Sequence, residues 1–475
     1  MSKRFLCLVL LSCLLCANAC GSKETTSEET NPSGEAAVEE TQPAETEFTL
    51  PERNYEGRTF TFITAPDIVD YLHREELNGD AVNDAMLDTE VSVEELYNVQ
   101  LDTVLSSENS SGIVNSDIVP AVLAGDHYFN AAYANSVYLA NAQIQGVYKN
   151  LYDVEAFDFT KPWWLKNSVE AMTVGDQMYL GNSSISCSAF ARSHVIFVNK
   201  NMAADYSMEI PYTSVKDGKW TLDKLISLTG DIYVDTNGDG QKDAGDQYGM
   251  AGCYWSNHWA LASGYNVITK TGDADVLKID IDIEKMSTLV DTIYSWFFEK
   301  TGSFIEYDPV PTFMNGNALF SEGMVLDAVN RLRDSDVEYA ILPYPKYSEN
   351  QDTYYTYTQG WLFVLPNLES DEDFDGSVLE ALAYYRHRDL IPAYYDITVK
   401  GKIADAPEDA EMLEVVYNTM TETFDRCYDA YHGMQIVLNQ MIPEHNRDFA
   451  SWYAAILPSA EAKLQDLAAF YQENQ

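Results

Sequence analysis

Between Thr59 and Ala134 the apolar residues change their spacing again and again, and that alternation leaves the chain few architectures. Thr59–Thr64 (TFTFIT) reads as a strand. Asp80–Tyr97 carries Val82, Ala85, Met86, Thr89, Val93 and Leu96 at three- and four-residue spacing, which predicts a helix. Asn98–Val104 alternates like a second strand. Ile113–Leu123 predicts a second helix, stopped by Gly125 and Asp126, and Phe129–Ala134 a third short strand. Strand, helix, strand, helix, strand is the order of an α/β layer built on a largely parallel sheet, because parallel neighbours need a crossover.

The remainder continues in mixed style. His194–Val198 reads as a buried strand closed by Asn199 and Lys200. Thr221 is an N-cap for a helix over Leu222–Leu228, with Gly230 as its stop. Met286, Leu289, Val290, Ile293, Trp296 and Phe297 form a helical stripe. Tyr339–Leu342 and Trp361–Leu365 read as strands. From Glu380 onward the chain is mostly helical and ends in a helix over Ala460–Tyr471. Glu369–Asp375 is an acidic run expected as a solvated loop. No internal repeat is visible. With 475 residues, the chain is too long for one simple core, so two lobes are expected.

The first residues set the expected compartment. Lys3 and Arg4 precede an apolar run from Phe5 to Ala17, and small residues follow up to Cys20. This is the layout of an export signal; the run is too short to span a bilayer comfortably. Ala17-Asn18-Ala19-Cys20-Gly21 resembles the lipobox of bacterial lipoproteins, with Ala17 where that motif prefers Leu. The resemblance implies a signal over residues 1–19 and diacylation of Cys20. Residues 20–54 are rich in Ser, Thr, Glu, Pro, Gly and Ala, with no large aromatic side chain before Phe48, so a disordered tether is expected.

Charge excludes some partners. Formal charge is −46, which repels nucleic acid and anionic lipid surfaces. Cys7, Cys13 and Cys16 would leave with the signal. Cys187, Cys253 and Cys427 remain, allowing one disulfide at most, and three buried free thiols are expected.

One motif has metal-ligand spacing. Asp235, Asn237 and Asp239 stand at loop positions 1, 3 and 5, Gly240 at 6, Gln241 with its carbonyl at 7, and Asp246 at 12. That is the calcium-loop pattern, in which alternate residues of a tight turn face one ion. Asp246 is a methylene shorter than the usual Glu, so modest affinity is expected. The competing reading is a polar turn whose Asp and Gly serve turn chemistry alone.

The motifs in their order resemble extracellular solute-binding lipoproteins of ABC importers, in the carbohydrate-directed group related to maltose-binding protein. The segments that carry it are Asn78–Ala85 with Val93–Val99, Ala124-Gly125-Asp126, Val198-Asn199-Lys200 with Asp217–Thr221, Asn315–Phe320, Ile341–Lys346 and Asp448–Trp452. Asn130 departs from the group's usual Asp. The resemblance implies an α/β, two-lobed periplasmic-binding-protein-like fold of type II with hinge strands between the lobes. One lobe would hold 55–190 and 360–395, the other 191–359 and 396–475. Crossings are expected near Ser188–His194, Thr358–Phe363 and Tyr394–Lys400. It implies a monomer that captures a small ligand, a carbohydrate, closes on it, and presents it to ABC permease subunits from a lipid anchor on the outer face of the cytoplasmic membrane.

Sugars offer apolar ring faces and a rim of hydroxyls, so their sites combine aromatic rings with polar side chains. Tyr254, Trp255 and Trp259 form the densest such cluster, with core packing as the competing reading. Asp67 and Asn135 follow strands whose ends face a cleft. Arg192 and Trp361 fall on expected crossings. Asn330, Arg331, Tyr428 and Tyr431 match cleft-facing stretches of the resembled group. Trp163 and Trp164 are expected to pack at the surface or in the core, with stacking on ligand as the competing reading. Two rival classes stand beside this reading: a lipid-anchored glycan-active enzyme, which needs two placed carboxylates, and a surface adhesin. No carboxylate pair stands out, and no HExxH, GxSxG, P-loop or GxGxxG is present.

Overall fold

The structure is a computed structural model that describes residues 49–474, except 273–274, 401–406, 429–433 and 435 and the side chains at 334 and 396–400. The export signal, Cys20 and Tyr431 lie outside the described residues.

The first sheet has four strands in the order Trp361–Val364, Ala131–Asn135, Arg58–Thr64, Val99–Leu105. Arg58–Thr64 runs parallel to both its neighbours. The strand from far along the chain, Trp361–Val364, closes the edge antiparallel, with Trp361 opposite Asn135. Helix Ala81–Tyr97 makes the first crossover. Asp80 accepts from the N–H groups of Val82 and Asn83 at its start, Asn98 ends it in the left-handed region, and Met86, Val93 and Tyr97 are buried. The second crossover differs from expectation: Val114–Ile118 is a wide π-turn and only Val119–Ala124 is α-helical. Pro120 has no N–H to give to the preceding turn, so the narrow ladder starts afresh there.

The second sheet runs Tyr339–Leu342, His194–Asn199, Ala318–Met324, Gln247–Cys253, Tyr233–Val234, with Ser303–Glu306 also parallel to Gln247–Cys253. His194–Asn199 is antiparallel to both neighbours and buried on both faces after its first residue. Its core includes Val195, Phe197, Ala251, Phe313 and Ile341. Two glycines allow the last turn of helix Leu222–Thr229 to lie hard against this sheet. A Cβ on Gly249 would stand 2.0 Å from the Thr229 carbonyl oxygen, and one on Gly302 at the same distance from that oxygen.

Between the sheets the chain crosses at Ser193, which bridges antiparallel to Thr358. Thr358 Oγ1 donates to the Ala189 carbonyl at 2.6 Å and Ser193 Oγ to the same carbonyl at 2.9 Å. The third expected crossing falls within helix Ile391–Lys400.

Three expectations are corrected. The acidic run is no loop: helix Glu372–Tyr385 begins inside it, Asp371 caps it, and Glu372, Asp373 and Asp375 occupy the first turn, where negative charge meets the positive end of the helix. Arg58, Lys149 and Arg53 then pair with Asp371, Glu372 and Asp373. The last helix begins at Phe449, capped by Asp448, and runs through Pro458 to Glu473. Cys253 is half-buried, whereas Cys187 and Cys427 are buried; all three are unpaired. Trp163 and Trp164 are core residues, and both indoles donate to buried Glu380 at 2.8 and 3.0 Å. Among the described residues no helix is long and apolar enough to cross a membrane.

Candidate ligand-binding site

A cavity of about 620 Å³ opens at the strand ends of the second sheet beside the crossing, a size suited to a small ligand. His194 opens its strand there, Gly323 and Met324 end theirs, and Cys253 ends Gln247–Cys253. Tyr357 and Gln359, on the returning crossing, and Arg426, on helix Phe424–Tyr428, complete the hinge side.

The floor is organised by one carboxylate. Glu322 is the one charged residue of its strand, Ala318–Met324, and is 2% exposed. It accepts from the Cys253 N–H at 3.0 Å, Trp259 Nε1 at 3.2 Å, Tyr344 Oη at 2.8 Å, and His258 Nε2. Four partners meet the two buried oxygens of this side chain. Burial, followed by Glu322, pushes the Cys253 thiol up to about 12, so it is no nucleophile at neutral pH. His194 stacks on His258 at 4.6 Å and lies 5.0 Å from the Tyr357 ring. Burial, then His258, Arg192 and Arg426, hold its imidazole well below the ordinary range, so it is neutral. The cavity therefore offers ring faces, polar edges and two arginines, Arg331 and Arg426, while its carboxylates, Asp308, Asp327 and Glu322, are each held by neighbouring donors.

The sequence candidates separate into groups. Trp255 is 58% exposed and lines the cavity; Arg331 lines it too, held by Asp308 and Asp327. Arg192 and Trp361 meet at the crossing: the guanidinium lies 4.6 Å over the indole, and its Nε donates to the Gln359 carbonyl. Tyr71 joins them, 5.1 Å from Trp361. Tyr254 packs on Tyr307. Asp67 accepts from the N–H and hydroxyl of Ser110, and Asn135 caps helix Ser136–Gln143 through Val137 N–H. Both are committed to shaping first-sheet loops. Three candidates lie away from this cavity. Trp259 is 1% exposed and packs on Trp296 and Tyr344, because its indole N–H is needed by Glu322. Tyr428 turns to Gln143 and Tyr471 and stacks on Phe424. Asn330 is exposed at the end of helix Val325–Asn330 and lines neither described cavity.

Sequence reasoning missed His194, His258, Glu322, Tyr357, Gln359 and Arg426. Only Glu322 left a local signal, as the one charged residue of its strand. A second cavity of about 400 Å³ is lined by Tyr265, Lys270, Tyr355 and Phe424, and Tyr357 stands in the wall of both.

In the calcium-pattern loop the polar side chains bond the backbone of their own turn. Asp235 accepts from Gly238 and Gly240 N–H, Asn237 from Asp239 N–H, and Asp239 from Gln241 N–H. Asp246 is fully buried and accepts from Thr236 N–H and Tyr233 Oη. Among the described residues, no three His, Cys, Asp or Glu side chains converge on one metal position.

No family model matches the chain, and no curated protein matches it. Solved structures do. The chain is similar to a cyclo/maltodextrin-binding protein complexed with maltotetraose, at TM-score 0.54 and 11% identity over 88% of this chain and 97% of that one. It is similar to the GacH receptor of Streptomyces glaucescens, solved unliganded and with acarbose, at TM-score 0.52 and 11% identity, covering 88% and 98%. An ABC transporter solute-binding protein of Agrobacterium radiobacter, in complex with ribitol, matches at TM-score 0.52 and 12% identity, covering 87% and 100%. The likeness shows the fold: the chain has the α/β architecture of ABC solute-binding proteins.

Proposed function

We propose that this chain captures a mono- or oligosaccharide outside the cytoplasmic membrane and hands it to the permease subunits of an ABC importer. The observation that carries the reading is the cavity placed beside the crossing strands, where ring faces and polar edges surround a space of about 620 Å³. Closure about Ser193 and Thr358 would bring first-sheet groups onto a ligand already held by the second. The solved structures of this fold bind maltotetraose, acarbose and ribitol. The layout of residues 1–54 supports a lipid anchor at Cys20 followed by a tether, and the chain acts as a monomer without catalysing turnover. The spacing of Asp235, Asn237, Asp239, Gln241 and Asp246 supports a structural calcium ion that staples this loop, away from the ligand.

The test is isothermal titration of the full chain, in detergent, with a panel of neutral and acidic mono- and oligosaccharides, with each sugar assayed for cleavage. Saturable binding without cleavage is expected. Cleavage would move the chain to the glycan-active enzymes, and binding to a macromolecule alone would move it to the adhesins.

A further inference from the structure

We infer that the captured sugar carries a carboxylate, seated on Arg426 on the hinge side of the cavity and reinforced by Arg192 through Gln359. The inference rests on the sugar-capture reading and narrows it to sugar acids.

The argument begins with what arginine does elsewhere in this chain. Acidic residues outnumber Lys and Arg by 75 to 29, so a cation has carboxylates within easy reach. The other half-buried or buried arginines that are described all use them: Arg74 pairs with Asp70, Arg331 with Asp308 and Asp327, and Arg386 with Glu90. Arg192 and Arg426 do not. Arg426 is deeply enclosed yet keeps part of its surface open to the cavity it lines. Its Nε donates to Tyr357 Oη at 2.7 Å. Among the described residues no acceptor meets its two terminal amino groups. A guanidinium held away from bulk water without an anion is costly, and a bidentate carboxylate is the group its fork fits.

The acids nearby are otherwise engaged. Glu322 is surrounded by its four partners. Asp308 and Asp327 are bound to Arg331. Glu422 exerts an attraction on Arg426 but makes no ion pair with it, and one of its carboxyl oxygens is buried without a partner. Burial raises that carboxyl to about 7, so it is a weak counter-charge at neutral pH. Arg192 spends Nε and a terminal amino group on Gln359, which itself lines the cavity, and adds its charge to the same side. Both guanidiniums act on His194 and on Tyr357, which places the two positive fields at one spot. The remaining cavity groups, neutral His194 and the rings of Tyr357 and Trp255, suit the uncharged faces of the same sugar.

The test titrates the full chain with matched pairs that differ only at the carboxyl: glucose and glucuronate, galactose and galacturonate, and their disaccharides. Arg426→Gln and Arg426→Lys are measured beside it, with melting temperatures to confirm folding. The expected result is that at least one acid binds ten-fold or more tightly than its neutral partner, that Arg426→Gln removes that preference, and that Arg426→Lys keeps most of it. A neutral sugar that binds as tightly as its acid overturns the inference and leaves sugar capture standing. An acid preference that survives Arg426→Gln in a folded variant overturns the assignment to this residue. If no sugar of either kind binds, sugar capture itself fails.

Discussion

Replacing Glu322 tests whether one carboxylate holds the cavity floor together. Glu322→Ala removes the acceptor for the Cys253 N–H, Trp259 Nε1, Tyr344 Oη and His258 Nε2 together. Each stripped buried donor costs about 1–3 kcal/mol. The cavity lies next to the site, so water entering the gap recovers part of this, and a net loss of about 3–5 kcal/mol follows. Glu322→Gln keeps the shape and an amide oxygen for two of the donors. Tyr344 can rotate its hydroxyl to accept from the amide N–H, so the loss falls to about 1–2 kcal/mol. Urea unfolding followed by tryptophan fluorescence reads both, and Trp259 reports the site directly. The reasoning is refuted if Glu322→Ala unfolds within about 0.5 kcal/mol of the parent, or if the Gln and Ala variants lose the same amount.

Three further outcomes are expected. Burial raises the Glu380 carboxyl to about 7, against the pull of two indole donors, so the folded state prefers it protonated; its stabilisation is complete below the ordinary carboxylate value and disappears as pH climbs toward 7, about 3 kcal/mol over that window. Glu380→Gln should flatten the fall in unfolding free energy across this range, and an unchanged slope would contradict it. Gly249→Ala forces a methyl to 2.0 Å from the Thr229 carbonyl, which should cost about 4 kcal/mol or more; a variant melting like the parent would show that the contact yields. Millimolar calcium should raise the melting temperature of the parent by several degrees and leave Asp246→Asn unmoved; melting curves that coincide with calcium and with a chelator would dismiss the metal.

Local periodicity revealed much of the frame. The strands at Arg58–Thr64 and Val99–Leu105, the helix capped by Asp80 and the buried strand at His194–Asn199 each carry their signal within a dozen or so residues. The edge partnership of Trp361 with Asn135 carries none, since it depends on a return across most of the chain. The cavity was legible only in part. Trp255 and Arg331 were found through an aromatic cluster and a resemblance. Glu322 and His258 stand 64 positions apart, and Arg426 stands 69 from Tyr357, so no window of sequence contains either pair. The acidic run misled because composition says "solvated", whereas Asp371 and the acids behind it complement a helix start. Trp259 misled because an indole beside a cavity can face the other way when a buried carboxylate claims its N–H.

Tyr357 ties the cavity to its neighbour. It stands in the wall of both spaces, of about 620 and 400 Å³, its ring lies beside His194, and its hydroxyl is held by Arg426. The posture of this ring therefore depends on the same guanidinium that faces the larger space, so whatever draws on Arg426 is also felt at the wall of the smaller one.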